Sequence, residues 1–339
     1  MNLNERLDAL VKLGESLRGE DEYREAVIHR TAFNNPWFTK ENQRLALEAI
    51  STKMLDKEKL DQWLDRYEMH EPENIRSVGM VLAGNIPLVG FHDVLCVFVA
   101  GHHAVIKLSD KDPYLLPFLL KRLNEIDERT AAYFRIVEQL KDFDAVIATG
   151  SNNSARYFES YFGKYPNIIR KNRNAVAVLN GAEDHDELMA LGKDVFRYFG
   201  LGCRNVAKLY VPEGYDFDPL LTAFHEYRDI ITHSKYKNNF DYNYALFMLN
   251  KVPYRANGCI ILTENPNLQS HIAGLHYEYY DSEQELVTDL KSREEEIQCV
   301  VSKMDLEEVE QFPFGKAQEP ELWDYADGVD TMKFLLDLD

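Results

Sequence analysis

Cys203 stands in the stretch Phe199-Gly200-Leu201-Gly202-Cys203-Arg204-Asn205-Val206, behind two glycines and ahead of an apolar run. Glycines at 200 and 202 let the chain leave a helix and bend sharply, which puts the thiol where another backbone can come close. The thiolate is the nucleophilic form of cysteine, and Arg204 beside it could lower the thiol pKa. The same residue also reads as a small hydrophobe filling a bend. Three other stretches carry comparable chemistry. In Val81-Leu82-Ala83-Gly84-Asn85-Ile86-Pro87 a strand runs into Gly-Asn-x-Pro and leaves the Asn85 amide at the strand's carboxyl end, where open α/β sheets bind ligands. Asn85 taken alone reads first as a turn asparagine. In Ala104-Val105-Ile106-Lys107-Leu108-Ser109, a lysine at a strand end followed by small polar residues can reach cofactor hydroxyls or phosphate, or can be a solvated surface lysine. In Ala145-Val146-Ile147-Ala148-Thr149-Gly150-Ser151, a strand, a glycine, a hydroxyl and a helix start form the layout that holds pyrophosphate on free N–H groups. A plain capped helix has that layout too.

These stretches need a scaffold, and the rest of the chain supplies its pattern. Leu3, Leu7, Leu10 and Leu17 fall near one helical stripe, and Leu60, Trp63, Leu64 and Tyr67 repeat at helical spacing. Asn34-Asn35-Pro36 interrupts this region, because the residue before proline is pushed out of the helical well. From about residue 77 short apolar strands alternate with amphipathic helices. Strands are expected at 78–83, 104–108, 145–149, 175–179, 207–211, 260–263 and 299–301. Asp112-Pro113 and Ser282-Glu283-Gln284-Glu285 read as helix starts. Leu188, Leu191, Val195 and Phe199 form the buried stripe of a helix expected to end at Gly200. Such alternation predicts an α/β protein with largely parallel sheets. The acidic stretch 181–186 is the expected domain boundary. The organisation read from the sequence is a helical lead-in over 1–70, a cofactor-binding domain over 71–180, and a catalytic domain with a C-terminal tail over 181–339.

Composition narrows the chemistry further. The 339 residues carry 57 acidic and 38 basic side chains, a formal net charge of −19. That field repels phosphate backbones and argues against nucleic acid as a partner. The longest apolar run, Val94 to Ala100, is too short to span a bilayer, and the acidic start MNLNERLDAL lacks the layout of a secretory signal, so a cytoplasmic protein is expected. The four cysteines, Cys96, Cys203, Cys259 and Cys299, are scattered and contain no C-x-x-C pair. Neither a disulfide framework nor a metal site is implied. Cys96, Cys259 and Cys299 sit among aliphatic residues and read as buried small hydrophobes.

Taken in order, Gly84-Asn85-x-Pro87, Ala100-Gly101 through Lys107-x-Ser109, Thr149-Gly150-Ser151 and Gly200-x-x-Cys203 resemble the sequence skeleton of the aldehyde dehydrogenase superfamily. Lys107-Leu108-Ser109 with Asp112-Pro113, Asn35-Pro36-Trp37-Phe38, Phe314-Gly315-Lys316-Ala317-Gln318 and Leu322-Trp323-Asp324-Tyr325 look most like its branch of acyl-CoA reductases related to the fatty acid reductase of bacterial luminescence. The resemblance implies two Rossmann-like α/β domains behind a helical N-terminal segment. It makes Cys203 the nucleophile and Asn85 the oxyanion-hole amide. It places Lys107 at the adenosine ribose of the cofactor, Ser109 among the cofactor-binding residues, and Gly150 and Ser151 at the turn next to the pyrophosphate. It further implies NADPH as the cofactor, with NADH as the second choice because Asp110 lies beside Lys107 and Lys111. An acyl-CoA or other acyl thioester is the implied substrate, and a homo-oligomer the implied assembly.

The chain departs from the superfamily at Leu201, where glutamine is common, and at Ser154-Ala155, where Val-Gly follows the glycine turn. The stretch matching the hydrolytic members' glutamate base reads Asn167-Ile168-Ile169-Arg170-Lys171-Asn172-Arg173-Asn174 and contains no acid. Oxidation to a free acid needs a base to activate water, whereas thioester reduction does not. Reduction of a fatty acyl thioester is therefore the expected activity. An acid-forming aldehyde dehydrogenase and a non-catalytic scaffold with this fold are the alternatives.

Overall fold

The computed structural model describes residues 1–338, which form two compact units: Met1–Asn172 together with the segment from Glu321 onward, and Arg173–Pro320.

In the first unit, four α-helices, Leu3–Ser16, Glu22–Asn34, Lys40–Ala49 and Lys57–Leu64, with a π-helical turn Ile50–Met54 after the third, precede the sheet. The first is closed by an Asn2–Glu5 capping box, and the second stops at Asn35, which is extended as its following proline requires. Five parallel strands follow: β1 Ser77–Val81, β2 His103–Lys107, β3 Phe134–Ile136, β4 Ala145–Thr149 and β5 Asn167–Arg170. Their order in the sheet is β3-β2-β1-β4-β5. Both faces are covered, so Val78, Met80, Ala104, Ile106 and Ala145 through Ala148 are all buried and the strands read as continuous apolar runs. Helix Phe91–Val99 between β1 and β2 is buried on nearly every side, which explains the long apolar run there.

The second unit holds seven strands: β6 Asn174–Val178, β7 Val206–Pro212, β8 Arg255–Ala256, β9 Ile261–Glu264, β10 Gly274–Tyr280, β11 Ile297–Ser302 and β12 Gln311–Phe312. Their order is β12-β11-β6-β7-β10-β9-β8, all parallel except the short β8. Helices His185–Phe196 and Asp218–His225 pack on one face through Leu188, Leu191, Leu220 and Phe224. Helix Glu283–Ser292 covers the other through Leu286 and Leu290. No helix among the described residues is long and apolar enough to cross a membrane.

The α/β class with two parallel sheets matches the expectation, and the seven anticipated strands are present within a few residues. Three details differ. The units divide at 172/173, because the strand expected to close the cofactor domain, β6, pairs with β7 and β11 in the second sheet. The stretch 181–186 is no boundary: Asp184 and Glu187 form the capping box of helix His185–Phe196 inside the second unit. The chain after Glu321, placed with the catalytic half by its position in the sequence, belongs to the first unit.

Candidate active site

In the first sheet β1 is flanked by β2 on one side and β4 on the other, so the chain reverses its direction of winding between β1 and β4. Ligands of doubly wound sheets bind outside the carboxyl ends at such a switch point. Val81 at the end of β1 is in register with Lys107 on β2 and Ala148 on β4. The three anticipated stretches therefore leave three adjacent strand ends.

Small residues set the packing at these ends. A Cβ on Gly84 would lie 2.3 Å from Ser109 Oγ and 2.7 Å from Ser109 Cβ, so only glycine lets the β1 loop rest on the β2 loop. A Cβ on Gly150 would meet Phe158 and Ser154 at 2.8 Å, so glycine also seats helix Asn152–Phe162 against the end of β4. Ser151 caps that helix, accepting the Ser154 N–H at 3.2 Å, and stays exposed at its N-terminus. Lys107 is exposed and Asn85 half-buried.

Asp112, read from the sequence as a helix cap, does more than that. The helix starts at Leu115, and the buried Asp112 carboxylate accepts the Leu88 N–H at 2.9 Å. It thereby ties the loop carrying Asn85 to the loop after β2, while Leu88 holds a left-handed φ of 56°. Burial pushes the Asp112 carboxyl up to about 6, against the N–H donors of Leu88 and Leu115. A second anchor is the buried Asp93–Arg170 pair, in which Arg170 also donates to Thr331 Oγ1 at 2.8 Å. The stretch matched to the hydrolytic base is thus strand β5 ending in a buried cation.

In the second unit, helix His185–Phe196 ends three residues before the expected Phe199. Tyr198, Phe199 and Gly200 all take left-handed φ values of 54°, 59° and 74°, a conformation that only the glycine adopts without strain. Phe199 is held there by its ring against His233, centroids 4.3 Å apart. The chain then makes a tight turn in which Asn205 N–H donates to Gly202 O at 3.1 Å, with Cys203 and Arg204 at its tip.

Asn205, which the motif reading passed over, closes this turn with its side chain as well. Its Oδ1 accepts the Gly202 N–H at 2.8 Å, and its Nδ2 donates to the carbonyls of Asp194 at 2.9 Å and Arg197 at 2.8 Å. The signal available in the sequence was an asparagine three residues after a turn glycine. Arg204 extends its guanidinium over the Phe312 ring, 5.3 Å from the centroid. Asp194 on the preceding helix is buried, and its two oxygens accept the N–H groups of Gly315 at 2.6 Å and Ala317 at 3.1 Å. Burial raises its carboxyl to about 7, against those two donors.

The four cysteines divide as their neighbours predict. Cys96, Cys259 and Cys299 are buried, and burial pushes their thiols up: well above the usual value for Cys96, to about 11 for Cys259 and to about 12 for Cys299. Cys203 alone of the four is partly exposed.

A family model described as Acyl-CoA reductase (LuxC) matches residues 12–219, a span that contains Asn85, Lys107, Ser109, Gly150, Ser151 and Cys203. The chain belongs to this family. Long-chain acyl-protein thioester reductase 2 of Photobacterium leiognathi is 20% identical over 308 residues, covering 78% of this chain and 64% of that protein. Long-chain acyl-protein thioester reductase of Aliivibrio fischeri is 20% identical over 244 residues, covering 62% and 50%. The chain therefore spans between half and two thirds of the length of these relatives. Aldehyde dehydrogenase 21 of Physcomitrella patens, solved with succinate, superposes with a TM-score of 0.70 at 14% identity over 100% of this chain and 84% of its own. The fold of this acyl-CoA reductase family member is thus that of the aldehyde dehydrogenases.

Proposed function

We propose that the protein reduces a long-chain acyl thioester to the aldehyde through an acyl-enzyme on Cys203, using a nicotinamide cofactor held by the first unit. The observation that carries this reading is the one partly exposed cysteine, set at the tip of a clamped turn inside the span matched by the family model. The Cys203 thiolate attacks the thioester carbonyl, and the resulting tetrahedral oxyanion collapses with loss of the donor thiolate, which takes up a proton. Asn85 and a backbone N–H serve as donors to the oxyanion, in this step and in the next. Bound NAD(P)H supplies the hydride that converts the acyl carbon to a thiohemiacetal. Breakdown of that adduct breaks the C–S bond, releases aldehyde and returns the Cys203 thiolate.

The first unit fits such a cofactor. Gly84 rests the loop after β1 on the loop after β2, and Gly150 seats helix Asn152–Phe162 on the end of β4. Lys107 is exposed near Ser109, and the Ser151-capped helix offers its N-terminus to phosphate. Lys107 and Lys111 favour NADPH, and Asp110 between them is the residue that would admit NADH. The relatives' names point to an acyl group carried on a protein, so the donor is either that or acyl-CoA. A chain without an acid in 167–174 supports reduction over hydrolysis of the acyl-enzyme.

Intact mass spectrometry after mixing with palmitoyl-CoA, without cofactor, tests the reading. Wild type is expected to gain one palmitoyl group and to lose it, with release of hexadecanal, when NADPH is added. Cys203→Ala is expected to gain none. An adduct that persists on Cys203→Ala, or a wild type that neither acylates nor consumes cofactor with acyl-CoA or an acylated protein, would refute it.

A further inference from the structure

We propose that Asn205 is the positioning residue of the nucleophile: its carboxamide fixes both ends of the turn that presents Cys203, an inference that rests on the assignment of Cys203 above. Asn205 is 1% exposed, and every polar group it owns is engaged. Its Oδ1 accepts from Gly202 N–H at 2.8 Å while its own N–H donates to Gly202 O at 3.1 Å, so the two residues flanking Cys203 and Arg204 are locked to each other twice. Its Nδ2 donates to the carbonyls of Asp194 at 2.9 Å, Val195 at 3.4 Å and Arg197 at 2.8 Å. These carbonyls lie at the end of helix His185–Phe196, where the last acceptors of an α-helix find no N–H donor of its own. Its backbone carbonyl takes the Ala175 N–H at 3.2 Å, which pins the turn to β6.

One side chain therefore couples the helix end, the turn and the sheet. Only a carboxamide of this length combines an acceptor for Gly202 with donors for a cluster of carbonyls. The left-handed residues Tyr198 and Phe199 immediately before the turn store strain. The Asn205 bonds to Arg197 O and Gly202 N–H fix the chain on either side of them, alongside the Phe199–His233 ring contact. A nucleophile displaced by about 1 Å from its attack position loses about a hundredfold in rate.

The test uses Asn205→Asp, which keeps the acceptor for Gly202 but sets a carboxylate against the carbonyls, Asn205→Ser, which keeps a short hydroxyl, and Asn205→Ala. The readouts are the second-order rate of Cys203 alkylation by iodoacetamide, kcat, KM for NADPH, and NADPH binding by fluorescence. Alkylation is assigned to Cys203 by its absence in Cys203→Ala. Alkylation rate and kcat are expected to fall about 10- to 100-fold in all three variants, with KM for NADPH and NADPH binding within about twofold of wild type. Alkylation and kcat at wild-type values in Asn205→Ala overturn the proposal. So does a parallel loss of NADPH binding in every variant, which assigns Asn205 to general stability. Failure of the nucleophile assignment shows separately, as thioester reduction that survives Cys203→Ala while the alkylation rates still report on Asn205.

Discussion

Gly84 shows how one missing methyl organises the first unit. Its Cβ position is occupied by the Ser109 side chain, and Lys111 Cβ stands 3.1 Å away. The conflict is with the near end of a side chain, which cannot swing clear, so Gly84→Ala must displace either the loop that carries Asn85 or the loop that follows Lys107. We expect Gly84→Ala to destabilise the protein by about 1–3 kcal/mol. Pairing it with Ser109→Gly is expected to restore a large part of that loss. Urea unfolding of the two single variants and the double variant gives the coupling, and strictly additive effects would mean the two loops do not touch as described. In the sequence Gly84 reads as part of a turn and Ser109 as part of a cofactor-binding stretch. That the two are in contact was not legible, because they lie on different strands.

At the scale of elements, helix His185–Phe196 does two jobs from its last turn: it leads into the Cys203 turn, and Asp194 holds the chain at Gly315 and Ala317. Asp194 titrates near 7 in the folded protein against 3.8 as its ordinary value, so between these pH values the folded state keeps a proton that the unfolded chain has lost. Stability from this group is therefore full below pH 3.8 and declines as pH rises to about 7. Asn at this position does not titrate. The stability of wild type relative to Asp194→Asn is expected to drop by about 2–4 kcal/mol between pH 4 and pH 8, measured by urea unfolding at intervals across that range. A difference that stays flat would place the carboxyl at its ordinary value. Element periodicity was readable for this helix, since Leu188, Leu191 and Val195 do form its buried stripe. Its end was not, because Phe199 has the right spacing but is held in a left-handed conformation by packing on His233. Strand β10 was missed for a related reason: Gly-Leu-His-Tyr-Glu-Tyr-Tyr looks polar. Its His276 is satisfied by Asn267 O at 2.8 Å, and its Glu278 pairs with the buried Lys208 of β7.

At the scale of the whole molecule, the segment after Glu321 returns to the first unit and is bonded into it. Trp63 Nε1 donates to Tyr325 Oη at 2.7 Å, Tyr67 Oη donates to Asp330 at 2.9 Å, and His102 Nε2 bonds Leu335 O at 3.0 Å. Leu322, Met332 and Leu335 are buried in the same core as helix Phe91–Val99. Removing residues 321–339 uncovers that core and leaves the Trp63 indole and the Arg170 guanidinium short of partners in a buried setting. The truncated chain is expected to melt at least 10 °C lower, and amide exchange over helices 57–64 and 91–99 is expected to accelerate. Unchanged exchange in those helices would show that the returning segment is dispensable to the first unit.

Local chemistry determined much of this protein in one dimension. Apolar strands alternating with amphipathic helices set the α/β class, because burial on two faces needs runs of a fixed length. Glycines beside Asn85, Ser151 and Cys203 marked the places where the backbone bends and side chains at strand or helix ends become available. Tertiary structure alone decided partnership. It assigned β6 to the second sheet, brought the final segment back to the first unit, set Gly84 on Ser109, and closed the Cys203 turn with Asn205. Each of these is a contact between residues whose own sequence neighbourhoods are satisfied in several ways. Hydrogen bonding and packing across the fold select one of them.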